Sequence, residues 1–215
     1  MKIYLIPGLG NDYRIFSKLV KFIKYNDLEF IEYIEPPAIK TTMQDYAELI
    51  IDRYSIQSDS ILIGMSMGGT LAVELAKKIN FKRIILVSTF KHKRECPFIF
   101  RMARLFPIYR LVPAFIIRIF IPFFARLLRI CNKAETSILQ EMLNDRSNLH
   151  FAWGRWSIVH WENELDLESI VHINGTKDHI FLKANKYADH LIEGGTHNMI
   201  MDRADEISLI INEAI

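Results

Sequence analysis

Residues 61–73 read Ile-Leu-Ile-Gly-Met-Ser-Met-Gly-Gly-Thr-Leu-Ala-Val, so an apolar run enters a glycine-rich turn around Ser66 and continues as an alanine- and leucine-rich segment. The run is typical of a short buried strand, and the segment after the turn predicts a helix. Gly64 and Gly68 lack the Cβ atoms that would clash where a strand turns at once into a helix. The pattern predicts a raised, nucleophilic Ser66 hydroxyl at a helix N-terminus, where the dipole favours negative charge. A structural turn serine is the alternative.

Predicted strands and helices alternate on both sides of this turn. Helices are expected over residues 15–23, 42–54, 67–79 and 204–214, and strands over residues 2–6, 28–34, 60–64, 83–87, 170–174 and 190–192. This alternation predicts an α/β fold with a doubly wound, mostly parallel sheet of about six strands. In such a sheet the ligand site lies at the carboxyl ends of the strands.

The alternation is interrupted between the fourth and fifth predicted strands. Residues 90–164 have a helical pattern, and Pro97, Pro107, Pro113 and Pro122 are expected to divide them into short helices. We therefore predict a core domain formed by residues 1–89 and 165–215, with a helical insertion at residues 90–164.

A nucleophilic serine needs a base to accept its proton. His197 follows the last predicted strand in a Glu-Gly-Gly-Thr-His-Asn-Met segment, at the same sheet edge as Ser66, and is the predicted base. The other histidines considered are those in or beside the insertion, one within a predicted strand and one next to Asp178: His92, His150, His160, His172 and His179.

The base in turn needs a carboxylate that orients its ring. Asp178 follows the fifth predicted strand and is the predicted partner, although a solvated turn residue would have the same surroundings in sequence. Asp189 lies at the start of a strand, and Asp202 is expected to start the last helix. The predicted oxyanion donors are the backbone N–H groups of Met67 and Leu9, with Gly10 as the alternative to Leu9.

The order Ser66, Asp178, His197, each after a strand, resembles the α/β-hydrolase superfamily. The resemblance implies a serine hydrolase that forms an acyl-enzyme without cofactor or metal, and a helical cap at the place of the insertion. The chain differs in two ways. The first two antiparallel strands of that superfamily have no counterpart, and Pro7-Gly8 replaces the frequent His-Gly of its oxyanion loop.

The charge is unevenly distributed, although the 27 Lys+Arg and 25 Asp+Glu residues give a net charge of only +2. Residues 91–133 contain ten Lys+Arg and one acid, Glu95, for a charge of +9, and the remainder carries −7. Residues 90–124 also contain eight of the 14 phenylalanines, and Arg126, Arg129 and Lys133 have the spacing of one helix face.

Three interpretations of the insertion stay open. It is a cap with its charges in water, a surface that binds an anionic membrane, or a surface that binds an acidic acyl carrier protein. In each case an apolar cap favours an ester or thioester substrate with an apolar acyl part. Trp153 and Trp156 are the predicted pocket walls, with Trp161 as a third candidate, and packing in the core is the alternative role for at least two of the three. A non-catalytic binding protein of the same fold, or an enzyme for acyl transfer or carbon–carbon hydrolysis, is the alternative.

The remaining features limit the location and the ligands. Cys96 and Cys131 form no disulfide framework, and no signal peptide or apolar run of about 20 residues is present. We expect a cytoplasmic protein, with peripheral membrane attachment as an alternative. No phosphate-cradling glycine loop or metal-ligand cluster is recognised, so neither a nucleic acid nor a cofactor is expected.

Overall fold

A computed structural model describes residues 1–127 and 133–215, without the side chains of Phe124, Leu127, Lys133 and Ala134. Its strands are β1 (Ile3–Ile6), β2 (Leu28–Phe30), β3 (Ile61–Met65), β4 (Arg83–Val87), β5 (Ile170–Gly175) and β6 (His190–Ile192). They form one sheet in the order β2-β1-β3-β4-β5-β6, and every neighbouring pair is parallel. The predicted α/β fold with a doubly wound sheet is confirmed, and β2 is shorter than expected.

The helices are α1 (Met43–Tyr54), α2 (Met67–Ala76), α3 (Phe98–Leu105), α4 (Ala114–Leu127), α5 (Lys133–Asn144), α6 (Asn148–His160), α7 (Met199–Asp202) and α8 (Ala204–Ala214). Short 3₁₀ turns occupy Tyr13–Phe16, Leu19–Lys21, Lys93–Glu95, Ile108–Leu111 and Ala184–Tyr187. The helix predicted over residues 15–23 is therefore wrong. Asp12 accepts from the N–H of Arg14 and binds its guanidinium, which favours a tight first turn over a longer helix.

The sheet is buried on both faces, because successive strand residues alternate between two apolar clusters. Leu5 and Ile63 pack on one face with residues of α8, such as Ile207. Tyr4 and Leu62 pack on the other face with residues of α1 and α2. The two covered faces leave the carboxyl edge of the sheet as the place where loops assemble a site.

The chain between β4 and β5 folds into α3, α4, α5 and α6. Pro97, Pro107 and Pro113 each stand directly before a helix or 3₁₀ turn, but Pro122 lies inside α4. The expectation that Pro122 divides two helices is therefore wrong, and the surrounding apolar residues of α4 continue the helix through it. Arg126 lies in α4, whereas Arg129 and Cys131 fall outside the described residues. Within the part of the chain that the structure describes, no helix is long and apolar enough to cross a membrane.

Candidate active site

The turn between β3 and α2 holds Ser66 in a strained conformation, with φ 53° and ψ −121°. A Cβ on Gly64 would lie 2.5 Å from the carbonyl oxygen of Gly68, and a Cβ on Gly68 would lie 2.3 Å from that of Ile6. These contacts explain why glycine occupies both positions. The turn places the Ser66 side chain at the N-terminus of α2, above the carboxyl edge of the sheet.

The structure brings the side chains of Ser66, His197 and Asp178 into one hydrogen-bonded row. His197 Nε2 lies 3.1 Å from Ser66 Oγ, and His197 Nδ1 lies 2.9 Å from Asp178 Oδ2. An ionised carboxylate only accepts hydrogen bonds, so Nδ1 carries the ring proton of a neutral His197 and leaves Nε2 free to accept the serine proton.

Asp178 is fully buried after β5 and is held in the ionised form. Burial is the largest single influence and raises the pKa of its carboxyl, but the interaction with His197 and the hydrogen bonds from the backbone N–H groups of Ile180 and Phe181 together hold the pKa below the usual value. Its Oδ1 also accepts from the backbone N–H groups of Ile180 and Phe181. These bonds fix the carboxylate, and through it the orientation of the His197 ring.

The loop after β1 approaches Ser66 from the neighbouring strand. A Cβ on Gly8 would lie 3.2 Å from the Cβ of Ser66, and Leu9 lines the same cavity as Ser66. Among the described residues, the N–H of Leu9 has no acceptor. The N–H of Met67 lies in the first turn of α2, where such groups have no partner within the helix. The two residues predicted as oxyanion donors thus lie near Ser66.

A cavity of about 510 Å³ opens beside Ser66 and His197. The described residues that line it are largely apolar and come from the β1 loop, α4, α5 and α6: Gly8, Leu9, Asn11, Ile117, Phe120, Ile121, Ala125, Leu139, Leu143, Phe151, Arg155, Ile180 and Asn198, together with Ser66 and His197. The helical insertion therefore supplies much of the wall of the cavity that holds the serine.

Solved structures share this architecture over nearly the whole chain. A hydrolase from Pseudomonas aeruginosa PA01 is 10% identical, with a TM-score of 0.74 over 99% of this chain and 89% of its own. A thermophilic esterase from Thermogutta terrifontis is 16% identical, with a TM-score of 0.65 over 99% and 88%. A bromoperoxidase from Bacillus anthracis is 11% identical, with a TM-score of 0.72 over 99% and 91%. This chain has the α/β-hydrolase fold.

The two sequence comparisons found no match. No protein-family model matches the chain. No curated protein matches it either. Because the α/β-hydrolase fold carries enzymes with different activities, the function has to be argued from the site itself.

The predicted pocket residues Trp153 and Trp156 do not line the cavity beside Ser66. Trp153 is fully buried against Tyr46, and its indole N–H donates to the carbonyl of Thr41. Trp156 stacks on the ring of His160 at 4.8 Å. Their positions on α6 turn them away from the cavity, which is reached from the same helix by Phe151 and Arg155.

None of the other histidines lines the cavity beside Ser66. Burial lowers the pKa of His150 to about 3 and that of His172 to about 4, so both rings are neutral near pH 7. His92 caps the 3₁₀ turn at Lys93–Glu95 through its bond to the N–H of Arg94. Among the alternative carboxylates, Asp189 accepts from the N–H of His172 and Asp202 ends α7 rather than starting the last helix.

Sequence reasoning missed a supporting residue, Thr89, behind the serine. Its hydroxyl donates to the carbonyl of Ser66 at 2.7 Å, and its N–H donates to the amide oxygen of Asn174 at 3.1 Å. The Thr89 side chain also occupies the space that a Cβ on Gly69 would need. The sequence did not indicate this role for Thr89, because its hydrogen-bond partner lies 23 residues earlier in the chain.

No group of three His, Cys, Asp or Glu side chains that could hold a metal ion occurs in residues 1–127 and 133–215. The groups assembled around Ser66 are a hydroxyl, an imidazole, a carboxylate and backbone N–H groups. Together they can accept a proton and stabilise an oxyanion, which is the chemistry of acyl transfer.

Proposed function

We propose that this protein is a serine hydrolase that cleaves a carboxylic ester or thioester with an apolar acyl part. The observation that carries the proposal is the row of hydrogen bonds from Ser66 through His197 to the buried Asp178, at the wall of an apolar cavity. A turn serine without chemistry has no need of a histidine at hydrogen-bonding distance that is itself oriented by a carboxylate.

The geometry supports a two-step reaction. Ser66 Oγ attacks the carbonyl carbon while His197 Nε2 accepts the hydroxyl proton, and the N–H groups of Met67 and Leu9 stabilise the oxyanion. The bond to the leaving group then breaks, and His197 gives its proton to the departing alkoxide or thiolate. In the second step His197 takes a proton from water as the oxygen of that water attacks the acyl-enzyme. The bond between the acyl carbon and Ser66 Oγ then breaks, His197 returns the proton to Ser66 Oγ, and the carboxylic acid leaves.

The helical insertion acts as the cap that the superfamily resemblance implies. Its residues Ile117, Ile121 and Leu143 line the cavity, so an acyl chain would lie against them while its carbonyl faces Ser66. The apolar wall supports an aliphatic or aromatic acyl group over a charged one, since a charge buried there would lose its hydration.

A fluorophosphonate probe tests the nucleophile. We expect mass spectrometry to find one adduct on the peptide that contains Ser66, and none in Ser66→Ala or in protein unfolded with urea. Ser17→Ala, which changes an exposed serine, is the matched control and should label like the parent. Absence of an adduct in folded parent protein would remove the proposal, and a non-catalytic binding protein of the same fold would take its place.

A panel of p-nitrophenyl esters from acetate to palmitate, with thioesters of the same acyl groups, tests the substrate class. We expect the rate of hydrolysis to rise with acyl length and then to fall for the longest esters. Ser66→Ala should hydrolyse none of them. If the serine is labelled but neither ester nor thioester is turned over, the reaction is of another type, such as acyl transfer to an acceptor other than water or hydrolysis of a carbon–carbon bond.

A further inference from the structure

The helical insertion exposes an unusual amount of apolar surface. Of the 21 large hydrophobic side chains that are exposed among the described residues, 11 lie between residues 98 and 123. Of these 11, the six most exposed are 62–80% accessible: Phe98, Ile99, Leu105, Phe106, Ile108 and Leu111. Two of these 11, Phe120 and Ile121, also line the cavity beside Ser66, and we call the other nine the outer insertion surface. Surfaces of this kind mark sites of interaction with proteins or membranes.

Helix α4 shows that this surface is separate from the cavity. With a rotation of 100° per residue, Phe115, Ile119 and Phe123 lie on one stripe of the helix, and all three are exposed. Ile117 and Ile121 lie toward the opposite side, where they line the cavity beside Ser66. Helix α4 is therefore apolar on two sides: one side lines the cavity, and the other, with Phe115, Ile119 and Phe123, is exposed.

The segments that carry the outer insertion surface belong to one layer. Helix α3, the 3₁₀ turn Ile108–Leu111 and α4 all contact α6. Arg155 of α6 also donates to the carbonyls of Tyr109 and Val112, which holds the link between the 3₁₀ turn and α4 against the cavity wall. The exposed apolar side chains are therefore presented by neighbouring segments on a common support.

The basic residues of the insertion differ in their ionic partners. Four of them pair with carboxylates: Lys91 with Asp189, Lys93 with Glu164, Arg94 with Asp166 and Arg104 with Glu162. By contrast, Arg101, Arg110 and Arg126 are exposed and have no carboxylate partner among the described residues. These three arginines, which are not neutralised by a carboxylate, thus lie among or next to the exposed apolar side chains of residues 98–123 in the chain.

We infer that the outer insertion surface binds the face of an anionic lipid bilayer. Apolar side chains at the level of the acyl chains and arginines at the level of the headgroups are the two parts of an interfacial membrane anchor. The attraction of a few arginines to an anionic leaflet does not by itself hold a protein on a membrane. The exposed phenylalanine, isoleucine and leucine side chains supply the remainder.

Two other occupants fit this surface less well. A second copy of the chain would place Arg101, Arg110 and Arg126 of both copies in one interface, because a two-fold interface is formed by the same surface of each copy. An acidic carrier protein would be matched by a dense basic face, whereas here four of the basic residues are already paired and apolar side chains predominate.

Sedimentation with sucrose-loaded vesicles tests the inference. The full chain should sediment with vesicles of 30% phosphatidylglycerol in phosphatidylcholine, bind pure phosphatidylcholine at least tenfold more weakly, and lose affinity as salt rises from 50 to 500 mM. Phe106→Asp, Leu111→Asp and Phe115→Asp should each weaken binding at least tenfold. Leu209→Asp, on α8 and 65% exposed, is the matched control and should bind normally.

The charge is tested separately with a triple variant, Arg101→Gln, Arg110→Gln and Arg126→Gln. It should reduce binding to anionic vesicles to the level seen with neutral ones, whereas a triple variant of the exposed Lys21, Lys24 and Lys186 to Gln should not. Absence of parent binding at 50 mM salt would overturn the inference. So would an equal loss in the control variants, a dimer that the Asp substitutions dissociate, or binding of an acidic carrier protein in place of vesicles.

Hydrolysis of p-nitrophenyl acetate in buffer separates this inference from the proposed function. None of Phe106, Leu111 and Phe115 lines the cavity, so their variants should keep the parent rate and the parent circular dichroism. Vesicle binding without ester hydrolysis would support the membrane surface while removing the hydrolase. Hydrolysis without vesicle binding would do the reverse.

Discussion

His197 Nε2 lies 3.1 Å from Ser66 Oγ, although the two residues are 131 positions apart in the chain. Ser66 follows β3 and His197 follows β6, which are separated in the sheet by β4 and β5. Ser66 and His197 lie close together because the loops that follow parallel strands lie at the same edge of the sheet. Asp178, after β5, also holds the His197 ring over that edge. The candidate site is therefore a property of the sheet order.

Asp178→Asn should reduce kcat for p-nitrophenyl butyrate about 10³- to 10⁴-fold with little change in KM. Oδ1 of Asp178 accepts from two backbone N–H groups, so the Asn NH₂ group would have to face His197 Nδ1 and favour the wrong tautomer. Steady-state kinetics measure the effect. Asp189→Asn is the control, since Asp189 binds the N–H of His172 away from Ser66. A loss below tenfold would show that Asp178 does not orient the base.

Gly68→Ala and Gly8→Ala should separate folding from activity. A Cβ on Gly68 would lie 2.3 Å from the backbone oxygen of Ile6, which a packed strand cannot move away, so we expect poor folding and a loss above about 3 kcal/mol. A Cβ on Gly8 would meet the Asn11 side chain and the Ser66 Cβ at 3.2 Å. Gly8→Ala should fold, with a reduced kcat. Urea denaturation and ester hydrolysis are measured on both proteins. A Gly8→Ala protein that is less stable than Gly68→Ala would contradict the prediction.

Ile117→Trp should shift the acyl-length profile toward shorter esters. Ile117 lines the cavity, so a larger ring there takes the space of a long acyl chain while acetate still reaches Ser66. Ile119→Trp is the matched control: it lies two residues further along α4 and is 59% exposed, so its profile should not change. kcat/KM across the p-nitrophenyl ester series measures both. Equal profiles for the two variants would place the acyl group elsewhere.

His150→Phe should make the protein less sensitive to acid. Burial, with a smaller effect of the Arg146 charge, lowers the pKa of His150 to about 3, whereas an unfolded histidine has a pKa near 6.5. Between these values the unfolded state binds more protons, so stability falls as pH drops from 6.5 toward 3, by an amount on the order of a few kcal/mol.

The aromatic neighbours of His150 should accept the phenyl ring. Tyr33 and Trp153 lie 5.2 and 5.7 Å from the imidazole, and Nε2 has no hydrogen-bond partner among the described residues. We therefore expect stability at pH 7.5 within about 1 kcal/mol of the parent, and a smaller loss at pH 5. Urea denaturation at both values measures this, with exposed His190→Gln as control. An unchanged pH dependence would assign the acid sensitivity to other groups.

The sequence predicted elements best where local geometry left little choice. The Gly64 to Gly68 segment predicted the strand–turn–helix, because only glycine fits two positions that touch backbone. The apolar strands predicted a parallel sheet, because both of its faces are covered. Residues 15–23 were predicted less well, since their apolar spacing suits both an α-helix and the 3₁₀ turns that Asp12 favours.

The insertion shows the limit of sequence patterns. Its basic charge and phenylalanines were visible, but the pairing of Lys93 and Arg94 with acids of residues 164–166 was not. The tryptophans were also predicted to line the pocket, whereas the observed cavity is lined by Phe151 and by residues of α4 and α5. Burial and pairing depend on partners distant in the chain, which amphipathic spacing does not identify.

The amino-acid sequence by itself determined the α/β fold and the three side chains with suitable chemistry, because turn sterics and strand periodicity are local. Only the tertiary structure decided that Ser66, His197 and Asp178 meet within hydrogen-bonding distance, and which apolar residues surround them. It also decided that α4 has one face on the cavity and one in the open. These relations arise from the order of strands in the sheet and from packing between segments far apart in the chain. Sequences with the same local pattern can differ in both.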